Sequence, residues 1–260
     1  MHYLALATDY DGTIADEGVV DKSTLAALER LRDGARRLIL VTGRGVTDLQ
    51  RVMPRLDLFD LVVAENGALL YDPANHEEHA LGDAPPAAFV ERLRELGVAP
   101  LWEGQVIVAT CEPNEGKVLS AIRDLGLNLQ ITFNKGAVMV LPVGVTKATG
   151  LRRALAQLSL SPLDCIGVGD AENDLALLDV CGMPVAVANA LPMVKQRAAF
   201  VTTGSRGAGV AELIDQLLAT GLAEFDATGE RGPVALAADE QGKPLLYVPK
   251  QSGSRYCHRG

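Results

Sequence analysis

No apolar run in this 260-residue chain approaches the roughly 20 residues that a membrane-spanning helix requires. Its start, "MHYLALATDYD", meets an acid too early for a secretory signal. A cytoplasmic protein with no membrane partner is expected. The four cysteines, Cys111, Cys165, Cys181 and Cys257, form no CxxC pair, which removes support for a zinc site or a disulfide framework and leaves buried or incidental thiols. Basic residues are outnumbered 24 to 33, giving a net charge of −9, which argues against nucleic acid or anionic membranes as partners. There is no G-x4-GK[ST] phosphate loop, and "GVGDAE" (167–172) and "GRGVTD" (43–48) lack the third glycine of a dinucleotide fingerprint. An EF-hand counted from Asp9 would need glycine where Ile14 stands. A small ligand remains, and oligomeric state is not legible.

What is there is 48% hydrophobic and rhythmic. Apolar runs alternate with segments of helical spacing, the pattern of strand-helix units and a parallel sheet. "YLALAT", "RLILVT" (37–42), "LVVA" (61–64), "CIGVG" (165–169), "MPVAVA" (183–188) and "FVTT" (200–203) read as strands. Helices are expected after the capping candidate Ser23, around 46–53, through Leu175 and Leu178, through Val194 and Ala198, and from Val210 to Leu218. Between the two blocks the Pro85-Pro86 pair opens a different region. It reads as a helix (Phe89, Leu93, Leu96), a strand "QVIVAT", a helix (Val118, Leu119, Ile122, Leu125), and a hairpin of "LQITF" and "AVMVLPV" about "NKG" (134–136). The expectation is an α/β protein whose core, residues 1–81 and 145–225, is interrupted by an α+β insertion at 82–144. Residues 226–260 read as a polar appendage with a possible hairpin at Glu240 to Gly242.

Four polar signals fall where strands give way to loops: "DYDGT" from Asp9, "VTGR" from Val41, Lys147 opening a helix, and "GDAEND" from Gly169. Each alone could be a turn, a strand end, a solvated lysine or a helix cap. Together they describe a site at the carboxyl edge of a parallel sheet, where ligands usually bind. In a strand, residues i and i+2 share a side, so Asp9 and Asp11 converge while Tyr10 faces elsewhere. With Asp170 they offer hard oxygen ligands that suit Mg²⁺, whose charge relieves their repulsion. Asp9 could then attack phosphorus and Asp11 serve as acid and base. Lys147, the Thr42 hydroxyl and the amides of Asp11, Gly12 and Gly43 would hold the transferring oxygens, and Asp174 would orient metal-bound water. Asn173 is a further contact in the same segment. Arg44, Asn66, Asn134 and Lys135 are candidates for reading the rest of the substrate.

These motifs resemble those of the haloacid dehalogenase superfamily over residues 1 to about 220. "DYDGT" is similar to its first motif, "VTGR" to its second, Lys147 to its third and "GDAEND" to its fourth. The resemblance implies a Rossmann-like core with a C2B-type cap, as in subclass IIB phosphatases of the Cof-like, sucrose-phosphate and archaeal-type phosphoglycolate phosphatase group. It implies Asp9 as nucleophile and Asp11 as acid/base. It further implies Mg²⁺ on Asp9, Asp170 and the Asp11 carbonyl, and a small phosphorylated substrate held by Thr42 and Lys147. The second aspartate favours phosphoryl transfer over dehalogenation. A phosphomutase, which must grip a second phosphate with convergent cap cations, and a non-catalytic phosphate-binding regulator are the alternatives.

Overall fold

A computed structural model describes residues 3–222. The first block runs β1 (Ala5–Thr8), α1 (Lys22–Asp33), β2 (Arg37–Val41), α2 (Val46–Val52), β3 (Leu61–Ala64), β4 (Leu69–Asp72) and β5 (Glu77–Ala80). The middle block is α3 (Ala87–Glu95), β6 (Trp102–Glu103), β7 (Val108–Cys111), α4 (Glu115–Asp124), β8 (Leu129–Asn134) and β9 (Ala137–Pro142). The chain then returns with α5 (Lys147–Gln157), β10 (Cys165–Gly169), α6 (Leu175–Val180), β11 (Met183–Ala186), α7 (Pro192–Arg197), β12 (Phe200–Val201) and α8 (Arg206–Thr220).

The main sheet has the order β12-β11-β10-β1-β2-β3-β4-β5, so strands from both ends of the described chain meet at β1 and β10. Strands β12 to β3 are parallel, and β4 and β5 continue the sheet antiparallel. Alternation explains why its central strands are apolar throughout. Leu6, Leu38 and Leu40 pack with Leu28, Leu31, Val210 and Leu213 on one face. Ala5, Ala7, Ile39 and Val41 pack with Leu151, Leu155 and Leu177 on the other. Thr8 pairs with Val168 on one side and Leu40 on the other, so Asp9, Asp170 and Thr42 all leave the sheet at one edge.

The middle block forms a separate antiparallel sheet, β6-β7-β9-β8. Its back is covered by α3 and α4 through Phe89, Leu93, Val118 and Ala121 against Val108, Val138 and Val140. Its front meets the main body through an apolar seam of Ala68, Val106, Ile107, Met139, Leu141 and Val145. The NKG hairpin forms as expected, with positive φ at Lys135 and Gly136 as a two-residue turn favours.

Several local expectations change. Asp21, not Ser23, caps α1, its carboxylate accepting the Thr24 N–H at 2.8 Å while Ser23 donates to the same carboxylate. The hairpin of β4 and β5 was not legible, because β5 ("EEHA") is exposed throughout and shows no apolar alternation. The "QVIVAT" strand begins only at Val108, since the amides of residues 105–107 turn toward Glu65. Leu119 and Leu125 are exposed rather than on the packed face of α4. Cys165 and Cys181 are free and buried, as expected of structural thiols. Cys257, the appendage at 226–260 and its hairpin lie outside the described residues.

The approach of α5 to the sheet fixes where Lys147 sits. At Gly150 an added Cβ would lie 2.4 Å from Val63 Cγ1 and 2.8 Å from Gly67 Cα. Gly150→Ala should therefore destabilise by about 1–3 kcal/mol although alanine is the better helix former. Thermal denaturation should show a Tm fall of about 2–4 °C per kcal/mol, partly recovered by Val63→Ala. An unchanged or raised Tm would contradict this contact.

Candidate active site

Lys147 is the first residue of α5, whose N-terminus is capped by Thr146 in a reciprocal arrangement with Thr149. A cation there works against the helix dipole. Its position makes sense through its partners: the ammonium, 1% exposed, donates to Asp9 Oδ1 and Asp174 Oδ1, both at 2.6 Å. Burial opposes its charge, but Asp174 and Asp9 outweigh burial and hold it protonated above its ordinary value. Asp9 is pushed up to about 8 by burial first and then by Asp174 and Asp170, against the pull of Lys147. Asp170 is likewise raised, chiefly by burial, with Lys135 working the other way.

Asp174 Oδ2 accepts the backbone N–H groups of Asp170 at 2.9 Å and Ala171 at 3.0 Å, which shapes the segment after β10. Both of its oxygens are thus engaged by the protein. The Thr13 hydroxyl lies 3.2 Å from Asp9 Oδ2 and 3.3 Å from Asp170 Oδ1, and its single hydrogen can serve only one of them. Lys135 Nζ reaches from the hairpin tip to Asp170 Oδ2, and Asn189 Nδ2 donates to the Gly12 carbonyl at 2.8 Å and to Asp170 Oδ2 at 3.4 Å.

Asp9, Asp170 and Asp174 each offer an oxygen within 4.8 Å of the others, and could hold a metal ion. The donor set fits one. Three buried carboxylates exceed the charge of Lys147, and their hard oxygens suit a hard divalent cation. The Asn173 Oδ1 atom, buried and without a partner among the described residues, is a further acceptor for a bound water in that segment.

Asp11 is placed differently from Asp9. Its carboxylate is half-exposed and held by Arg44 in a fork, Nε to Oδ2 at 2.6 Å and Nη2 to Oδ1 at 2.8 Å. Arg44 also pairs with Asp48, and the hydrogen bonds to Asp11 raise its pKa above the ordinary value despite burial. Arg44, a candidate for reading the substrate, is thus engaged by two acids. Tyr10 is fully buried, with its hydroxyl donating to the Gly18 carbonyl at 2.9 Å and the Arg44 guanidinium 5.5 Å from its ring centroid.

The Gly12 N–H donates to the Ala15 carbonyl at 2.9 Å, which corrects the expectation that this amide faces phosphate. Thr42 is buried at the end of β2, its hydroxyl accepting the Arg44 N–H at 3.1 Å. Gly43 lies under the second sheet, where an added Cβ would be 3.4 Å from Met139 Sδ. Asn66 Oδ1 accepts from Asn173 Nδ2 at 3.0 Å. Asn134 ends β8 beside Lys135, opposite Ala137. Sequence reasoning overlooked Thr13 as more than a turn residue, and Asn189 and Glu65 altogether. Only Thr13 had a signal, its place in the DxDGT run.

The family description haloacid dehalogenase-like hydrolase matches residues 6–95 and 106–214. A phosphoglycolate phosphatase of Haloarcula marismortui is 33% identical over 223 residues, covering 80% of this chain and 95% of that protein. One from Methanothermobacter thermautotrophicus is 29% identical, covering 82% and 98%. Among solved structures, a haloacid dehalogenase-like hydrolase from Bacteroides thetaiotaomicron superposes with a TM-score of 0.70 at 19% identity, over 83% of this chain and 99% of the other. A sugar phosphatase of HAD subclass IIB gives 0.68 at 19% identity, over 82% and 98%. The last two likenesses concern the fold.

Lys147→Met should leave Asp9 and Asp174 buried without their cation, at a cost of about 3–5 kcal/mol. Differential scanning calorimetry should show a lowered Tm, and added Mg²⁺ should raise it more for the variant than for the wild type. Equal Tm values without metal would contradict the buried pairing.

Proposed function

This chain belongs to the haloacid dehalogenase-like hydrolases, and we propose that it is a Mg²⁺-dependent phosphatase of a small phosphorylated acid. The observation that carries this reading is Asp9, buried between Lys147 and Thr13 with Asp170 and Asp174 in reach. In the proposed reaction Asp9 attacks phosphorus, the bond from phosphorus to the leaving oxygen breaks, and Asp11 gives that oxygen its proton. Asp11 then takes a proton from water, which attacks the aspartyl-phosphate and restores Asp9. Asp11 exchanges between Arg44 and the leaving group, with Asp48 keeping the guanidinium in place. Lys147 and the Thr42 hydroxyl offset charge on the transferring oxygens, a role also open to the amides of Asp11 and Gly43. Asp9, Asp170 and the Asp11 carbonyl would hold Mg²⁺, with Asp174 and Asn173 orienting its waters. When bound, the metal supplies charge that keeps Asp9 ionised and neutralises the phosphoryl group.

Residues 82–144 serve as the cap in this reading, which excludes water and inspects the leaving group. Lys135 is the cation it brings to the site, and Asn134 stands beside it. A lone cap lysine suits an anionic leaving group, and the relatives named phosphoglycolate phosphatase point the same way. 2-Phosphoglycolate is therefore the first substrate to test. The mutase alternative loses ground because Arg92 is paired with Glu95 and Asp124, Arg94 with Glu103, Lys117 with the Gly97 carbonyl and Arg123 with Asp124, Arg92 half-buried and the others exposed.

Phosphate release from 2-phosphoglycolate and p-nitrophenyl phosphate should require Mg²⁺ and fall by at least about 10³-fold in Asp9→Asn. Equal rates for variant and wild type would refute the assignment. Lys135→Ala should raise KM for 2-phosphoglycolate by about tenfold or more, the loss of one charge-assisted hydrogen bond. Its effect on p-nitrophenyl phosphate, which has no carboxylate, should be smaller, and an equal effect on both would place Lys135 elsewhere in the mechanism.

A further inference from the structure

The short turn Glu65–Gly67 after β3 contains a carboxylate that the proposed chemistry does not use. Glu65 is 2% exposed. Its Oε1 accepts the Gln105 N–H at 2.7 Å, and its Oε2 accepts those of Val106 at 2.7 Å and Ile107 at 2.9 Å. These amides belong to the loop joining β6 and β7, which the Gly104 N–H closes onto the Ile107 carbonyl at 2.8 Å. Successive N–H groups aimed at one centre make an anion cradle. Gly104 is what admits the carboxylate, because a Cβ there would lie 2.5 Å from Oε1 and 2.7 Å from Cδ of Glu65. The flanking seam of Val106, Ile107, Met139 and Leu141 keeps water away, where hydrogen bonds to a charged acceptor are strong and an unpaired charge is costly.

The same turn touches the segments that carry Thr42, Arg44, Asn173 and Lys147. The Glu65 N–H donates to the Arg44 carbonyl and the Asn66 N–H to the Thr42 carbonyl, each at 2.9 Å. Asn66 holds Asn173. Glu65, Asn66 and Gly67 all have positive φ, a conformation natural to glycine and tolerated by asparagine but strained for Glu65. At Gly67 a Cβ would stand 2.0 Å from the Thr146 carbonyl oxygen, so the turn lies directly against the residue that caps α5 and precedes Lys147.

We propose that Glu65 is a latch: it docks the second sheet over the site and couples that docking to the placement of Lys147 and Asn173. It is a positioning residue, reaching the chemistry through the turn. The catalytic consequence rests on the phosphatase reading, but the docking itself does not.

The test uses the full chain carrying Glu65→Gln, Gly104→Ala or both. Glutamine keeps one acceptor oxygen and turns an NH₂ toward donors, while Gly104→Ala disturbs the cradle from the other side without altering the carboxylate. Amide hydrogen exchange at residues 105–107, measured without substrate or metal, should be about tenfold or more faster in each variant. With Mg²⁺, kcat for 2-phosphoglycolate should fall by about tenfold or more in each single variant, as misplacement of reacting groups by an ångström suffices for that. The double variant should be no worse than the more damaged single one. Unchanged exchange at 105–107 in either single variant would overturn the latch, and Gly104→Ala decides the matter should Glu65→Gln fail to fold. Faster exchange with unaltered kcat would overturn the coupling. A wild type that hydrolyses neither substrate would sink the phosphatase reading, while the exchange measurement still decides the latch.

Discussion

One ammonium, that of Lys147, holds together segments that are far apart in the chain. Asp9 ends the first strand, Asp174 follows β10, and Lys147 begins a helix on the other side of the inserted sheet. Each of these charges would be expensive to bury alone. Their mutual contacts make burial tolerable, and the net negative charge left over suits the cluster to holding a cation, as proposed above. Stability and proposed function thus draw on the same electrostatic arrangement. The helix dipole and the low-dielectric surroundings both oppose a lysine at that position, and the two carboxylates overcome them.

The sheet does the positioning. Parallel strands β1, β2 and β10 end at a common level, so the loops that follow them share one edge. The close approach at Gly150 and Gly67 then sets the distance between α5 and that edge to within a side chain's reach. The second sheet meets the edge at an apolar seam and at two polar points where its donors meet a carboxylate of the main body, Lys135 on Asp170 and the cradle on Glu65. A layer fixed at these points can shelter the site from water, which strengthens every charge interaction beneath it.

Much of this was legible in the residues. The alternation of strand and helix patterns and the discontinuous sheet followed from hydrophobic periodicity, because buried parallel strands are apolar on both faces. Asp9, Lys147, Asp170 and Asp174 were legible because charged residues at strand ends have few structural reasons to recur in that order. What escaped notice depends on the partner rather than the residue. Glu65 reads as an ordinary loop acid until the amides of 105–107 are seen around it, and Asn189 carries no charge and no spacing signal. Strand β5 is short, exposed and charged, so no periodicity betrays it. The engagement of Arg44 by Asp11 and Asp48, and of the Gly12 amide by Ala15, likewise arises from local geometry that spacing alone does not encode.

The central claim is that the carboxylate held by Lys147 carries the phosphoryl group for part of the cycle. Rapid acid quench of the enzyme turning over 2-phosphoglycolate, followed by peptide mass spectrometry, tests it most directly. The account predicts a peptide spanning residue 9 heavier by one phosphoryl group, with the modification on Asp9. Sustained turnover with no such species at any quench time, together with inversion at a chiral phosphorus, would contradict it.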